Sequence, residues 1–136
     1  MSILQDIQKK YSDGTSKLAD DCEMFFAFTD KQFDDGLAKV RADNKERRLI
    51  KLGAGCFIPA DKIDRYNDGI QDLKDTFANT LSHHNLHDDY IAYQLANHEA
   101  FYTYEIEDAW GAMIVPYTRE KVLEVFNKVK QYHYND

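Results

Sequence analysis

Cysteine, proline and glycine are all scarce in this sequence, with two, two and six among 136 residues. The cysteines, Cys22 and Cys56, form no Cys-x-x-Cys spacing, so neither a disulfide framework nor a zinc ribbon is indicated. So little proline and glycine excludes collagen-like and low-complexity chains. No apolar run approaches the ~20 residues that a membrane-spanning helix needs. The N-terminal Met1-Ser2-Ile3-Leu4-Gln5-Asp6 lacks a basic segment followed by an apolar one, so no signal peptide is read there. The expectation is a reduced, cytoplasmic protein with free thiols. Basic residues are missing from one long stretch: none occurs in the 44 residues between Lys74 and Arg119. The seven acids there are Asp75, Asp88, Asp89, Glu99, Glu105, Glu107 and Asp108, and they account for the whole net charge of −7. A surface of that sign repels nucleic acid and attracts basic partners.

Aromatics, by contrast, are plentiful: nine Tyr, eight Phe and one Trp, enough to build a core without staples. Apolar spacing predicts a short first helix from Ile3 through Tyr11, stopped at Asp13-Gly14. Met24-Phe25-Phe26-Ala27-Phe28 reads as a buried strand. Thr29 and Gln32 form a capping box, opening a helix that continues through Phe33, Leu37 and Val40 to about Ala42. Apolar runs Leu49–Leu52 and Cys56–Ile58 flank Gly53-Ala54-Gly55, as a hairpin or a bulged strand. Ile63, Tyr66, Ile70, Leu73, Phe77 and Leu81 then mark a helix of about 20 residues after Pro59, with Asp61 as its cap. Asn85 suits a left-handed helix stop, and Asp88 the N-cap of a helix bearing Ile91, Leu95 and His98. A short helix is expected over Ile106–Met113, and Thr118 caps a last one carrying Val122, Leu123, Phe126 and Val129. The sum is a single domain over 1–136: α+β, helix-dominated, with a small antiparallel sheet of two or three strands.

Three constellations carry chemistry. His83, His84, His87, Asp88 and His98 offer imidazoles and a carboxylate of the kind that hold zinc, iron or manganese, although their spacing matches no established site. They define one alternative, a small metal-dependent hydrolase. The competing account makes Asp88 and Asp89 helix-start acids and His98 a core histidine; it is favoured, so no metal or cofactor is expected. Glu105, Glu107 and Asp108 suit either an acid–base pair or, preferably, a first helical turn facing water. Gly53-Ala54-Gly55 lacks the remainder of a phosphate loop and reads as a turn. The basic cluster Lys45, Arg47, Arg48 and Lys51 reads as a solvated loop and strand edge.

The most unusual stretch is rich in tyrosine: Tyr90, Tyr93, Phe101, Tyr102, Tyr104, Trp110 and Tyr117 within the acidic block. Tyrosine and tryptophan left at a surface make interaction hot spots, because they bury large area at small entropic cost. The predicted partner surface is therefore Asp88, Asp89, Tyr90, Tyr93, Tyr102, Tyr104, Glu105, Glu107, Asp108 and Trp110.

Phe25-Phe26-Ala27-Phe28, Gly53-Ala54-Gly55 and Leu95-Ala96-Asn97-His98-Glu99-Ala100-Phe101-Tyr102-Thr103 together resemble a group of small uncharacterised bacteriophage and bacterial proteins, in outline over residues 20–126. The acidic aromatic surface is similar in character to phage anti-restriction and anti-CRISPR proteins. That resemblance implies a non-enzymatic inhibitor that occupies the nucleic-acid channel of a basic host protein such as a defence nuclease. Its carboxylates would stand in for phosphates, without direct contact to nucleic acid or membrane. A homo-oligomeric regulatory module is a third reading, since exposed aromatics also make homodimers.

Overall fold

The computed structural model describes residues 2–134, and the side chains of residues 2–130. Seven helices and three strands follow in the order α1 (Ile3–Asp21), β1 (Phe25–Phe26), α2 (Asp30–Val40), β2 (Leu49–Gly53), β3 (Cys56–Pro59), α3 (Ile63–His83), α4 (His87–Asn97), α5 (Ala100–Thr103), α6 (Glu107–Ala112) and α7 (Arg119–Tyr134). The fold is α+β and helix-dominated, with one small antiparallel sheet. Two compact units divide it: Lys10–Leu73, and Lys74–Asp136 together with Met1–Lys9.

In the 10–73 unit the sheet order is β1-β3-β2. Phe25 pairs with Phe57 and Phe26 with Cys56, while Ile50 pairs with Ile58 across the hairpin. The hairpin and the bulge are both present: the register slips between Lys51 and Gly53. Gly53, Ala54 and Gly55 all have positive φ, which explains the small residues at this tip. Phe25 stacks on Phe57 at 5.5 Å, and Phe33 of α2 meets Phe57 edge-on at 5.1 Å. This trio binds α2 to the sheet, above the fully buried Ile58.

Several local expectations are corrected here. The first helix does not stop at Gly14 but runs on to Asp21. A Cβ at Gly14 would lie 2.6 Å from a Leu73 methyl, and one at Gly69 2.7 Å from Leu18, so these glycines serve close packing of helical segments rather than chain reversal. The aromatic strand shrinks to two residues. Phe26 and Phe28 point outward, 60% and 74% exposed, because alternation along a strand can bury only one face. Asp61 sits in a 3₁₀ turn, Ala60–Lys62, and its carboxylate takes Arg47 instead of capping α3. Thr29 caps α2 as expected, its Oγ1 accepting from the Gln32 N–H, but the returning Gln32 Oε1 accepts from Phe28 N–H, one residue before the N-cap that a capping box would use.

The other unit is built on one apolar cluster. Ile91 and Leu95 of α4 pack with Ala100, Ile106 and Ala109 and with Val122, Val125 and Phe126 of α7. Asn85 has φ 55°, the left-handed stop foreseen from its side chain. α4 starts two residues earlier than an Asp88 cap implies, at His87 after Leu86, so Asp88 is a first-turn acid rather than the cap. The four-residue helix α5, which apolar spacing does not reveal, is bracketed by left-handed Glu99 and Tyr104. Thr118 Oγ1 accepts from Lys121 N–H and starts α7 as expected.

Candidate functional site

The two left-handed residues around α5 sort its aromatics. Phe101 turns inward and stacks on Phe126 at 5.4 Å, whereas Tyr102 is 88% exposed. Tyr104 rests edge-on against Phe126 and stays half-exposed, and Tyr93 of α4 and Trp110 of α6 are exposed as well. The Trp110 indole N–H donates to the Tyr117 carbonyl at 2.8 Å, which fixes the ring while leaving its face open. These four are the exposed aromatics among the residues that the sequence singled out.

Tyr90 does not belong with them. It is fully buried, its ring edge-on to Phe77, and its hydroxyl accepts from Ile114 N–H and Gln94 Nε2. Burial pushes its phenol pKa up. It occupies the core-facing side of α4, one position before Ile91, which Tyr93 at i+3 only partly shares.

The acids also separate into two kinds. Asp88 receives Lys121 Nζ at 2.8 Å and Lys128 Nζ at 3.6 Å, both from α7. The Lys121 hydrogen bond holds its carboxyl below the usual range. Glu107 accepts from Arg119 at 2.8 Å, and that bond likewise lowers its pKa. The acidic block has no base in its own sequence, but the fold returns three from α7. Asp89, Glu105 and Asp108 are exposed and, among the described residues, have no ion-pair partner. Glu99 is likewise exposed and unpaired, so among the described residues the block keeps four free carboxylates, while Asp88 and Glu107 are neutralised by α7.

The histidines are not gathered. His83 and His84 meet edge-to-face at 5.0 Å at the end of α3, and His98 sits at the far end of α4 as its C-cap. His98 is only half-buried, so it is not a core histidine. His87 is engaged by Ser82 and Tyr117. Among the described residues no three His, Cys, Asp or Glu side chains converge as a metal site.

The 10–73 unit holds a feature that sequence reasoning missed. Arg47, read as a solvated loop residue, is largely buried and bonds Asp61 through Nε and an amino group, both at 2.8 Å. It also donates to Glu23 and to the Val40 carbonyl. Its hydrogen bonds lower the pKa of both carboxyls. Two clefts share the Glu23, Lys39 and Val40 walls beside it. One, of about 290 Å³, is lined further by Met24, Phe25 and Gly36; the other, of about 280 Å³, by Asp43, Asn44 and Asp61. With four directed bonds already made, Arg47 acts as a strut between the turn after α1, the end of α2 and the 3₁₀ turn rather than as an open anion receptor. Arginine and its acids lie 24 and 14 residues apart, and no local pattern signals such a triad.

The chain is a small helix-rich α+β protein with exposed aromatics and unpaired acids in its 74–136 segment. The chain belongs to a family of unknown function, DUF7659, which it matches over residues 5–132. No curated protein and no solved structure matches it.

Proposed function

We propose that this protein is a non-catalytic binding protein, phage-encoded and acting in the host cytoplasm, that inhibits a basic host protein. A defence nuclease is the natural target, blocked in the manner of anti-CRISPR and anti-restriction proteins at its nucleic-acid-binding surface. One observation carries the reading. Tyr93, Tyr102, Tyr104 and Trp110 stay exposed on a unit with a well-packed core, where Asp89, Glu105 and Asp108 have no cation of their own. Aromatics supply buried area on contact, and unneutralised carboxylates take the place of phosphates against lysine and arginine. Asp88 and Glu107 support the face through α7 rather than contacting the partner.

The test compares capture from native-cell lysate by the wild type and by the D89N/E105Q/D108N variant. A basic nucleic-acid enzyme retained by the first and released by the second, with its nucleic acid displaced by the first, is the expected result. Equal retention by both removes the carboxylates from the account.

A further inference from the structure

His87 is bonded at both ring nitrogens to residues of other segments. Ser82, on the last turn of α3, lies 2.8 Å from Nε2, and the Tyr117 hydroxyl lies 2.5 Å from Nδ1. Ser82 Oγ in turn donates to the Ala78 carbonyl at 3.1 Å. The Tyr117 carbonyl holds the Trp110 indole. One imidazole thus ties the end of α3, the start of α4 and the segment before α7, and Tyr117 extends the tie to the only tryptophan of the chain.

Counting hydrogens fixes the neutral tautomer. Tyr117 is half-buried, and burial raises its pKa, so the phenol keeps its hydrogen. If that hydrogen goes to Nδ1, then Nε2–H donates to Ser82 Oγ, and the Ser82 hydroxyl is free to donate to Ala78. Every group is satisfied. In the opposite tautomer Ser82 must donate to Nε2 and gives up Ala78. The Tyr117 hydrogen then has no acceptor among the described residues. The Nε2–H form wins by one hydrogen bond, three against two, and leaves no hydrogen without an acceptor.

We propose that His87 is a pH-sensitive clamp, whose protonation reverses its bond to Tyr117, strands the phenol hydrogen and lets Tyr117 and Trp110 shift together. An imidazolium has two donors and no acceptor, so the bond must reverse: Nδ1–H donates to the phenol oxygen, and the phenol hydrogen has to turn away with no acceptor among the described residues. Its surroundings do not compensate. Asp88, the next residue of α4, is already shared by Lys121 and Lys128 of α7, so it has little charge left to offer an imidazolium. Asp89 is the exposed acid of the same turn, and the His83 and His84 rings stand at the end of α3. The positive end of the α4 dipole also opposes a cation there. Imidazoles change charge between about pH 5 and 8. The inference rests on these hydrogen bonds and not on the proposed partner.

Trp110 emission from the full chain, followed from pH 8 to pH 5 without any partner, tests it. The wild type and an H83Q/H84Q variant should shift to the red on acidification, as the indole loses the Tyr117 carbonyl. H87Q should lose that transition, and Y117F should show red-shifted emission at every pH. Imidazole ¹⁵N NMR of the wild type should place the hydrogen on Nε2 at pH 8, and the His87 midpoint should coincide with that of Trp110. Flat wild-type emission, a transition retained in H87Q, an Nδ1–H tautomer, or separate midpoints would each overturn the proposal. The NMR comparison decides the matter even where H87Q fails to fold.

Discussion

Replacing Gly36 with alanine sets two effects of known size against each other. Within α2, alanine is the better helix former by about 1 kcal/mol, so the substitution gains that much if the site has room. It has none. The new Cβ would lie 2.3 Å from one carbon of the Phe25 ring and 2.4 Å from the next, well inside the ordinary contact distance. At Gly14 and Gly69 the obstacle is a leucine methyl, which can rotate away. At Gly36 it is a ring stacked on Phe57 and tilted on Phe33, 6.5 Å away, and it can move only by disturbing both. Overpacking of a constrained core costs roughly 1–3 kcal/mol. Weighed against the helix gain, G36A should lose about 1 kcal/mol, which lowers Tm by roughly 3–5 °C for a chain of this size. Urea unfolding should show a lower midpoint at an unchanged m-value. Combined with F25L, the loss should be smaller than the sum of the two single losses, since the smaller side chain vacates the contact. A G36A protein as stable as the wild type, or additive with F25L, would refute the wedge.

Three further outcomes follow from the same contacts. R47M should destabilise by about 2–3 kcal/mol, because it strips charge-assisted bonds from Glu23 and Asp61 and leaves the Val40 carbonyl without its donor. Both carboxyls have folded pKa values below their unfolded ones, so their contribution is present above about pH 4 and is lost as pH falls through the folded values. R47M should therefore be less acid-sensitive than the wild type between pH 5 and 2, as read by chemical denaturation at each pH. Y90F should cost about 1–2 kcal/mol, since it orphans the Ile114 N–H in a buried setting. D89N/E105Q/D108N and Y102A should leave Tm essentially unchanged, because those side chains are exposed and make no ion pair, and calorimetry should confirm that any lost binding is not lost folding.

What could be read in advance was what local chemistry dictates. The Thr29 cap, the 3-4 apolar spacing from Ile63 to Leu81, the Gly-Ala-Gly turn and Thr118 as a helix start each depend on neighbours within four residues. Missed features depend on distant ones. Gly14 looks like a stop until Leu73 is seen against it. Arg47 looks like a surface residue until the fold brings up Glu23 and Asp61. The acidic block looks unneutralised until α7 supplies Arg119, Lys121 and Lys128. Tyr90 reads as one of the exposed tyrosines because composition cannot say which side of α4 faces the core. Helical phase could have shown it, since Tyr90 shares the flank of Ile91 and, four residues on, of Gln94 and Leu95.

The central claim is that three carboxylates and an open aromatic face act as a surrogate for nucleic acid. Its most direct test is the association rate of the wild type and of D89N/E105Q/D108N with the captured partner, by stopped flow across ionic strength. Electrostatic steering predicts that the wild type associates roughly tenfold or more faster at low salt and slows steeply as salt rises, while the variant is slow and nearly flat. Superimposable rates and slopes for the two proteins would contradict the claim, whatever the affinity.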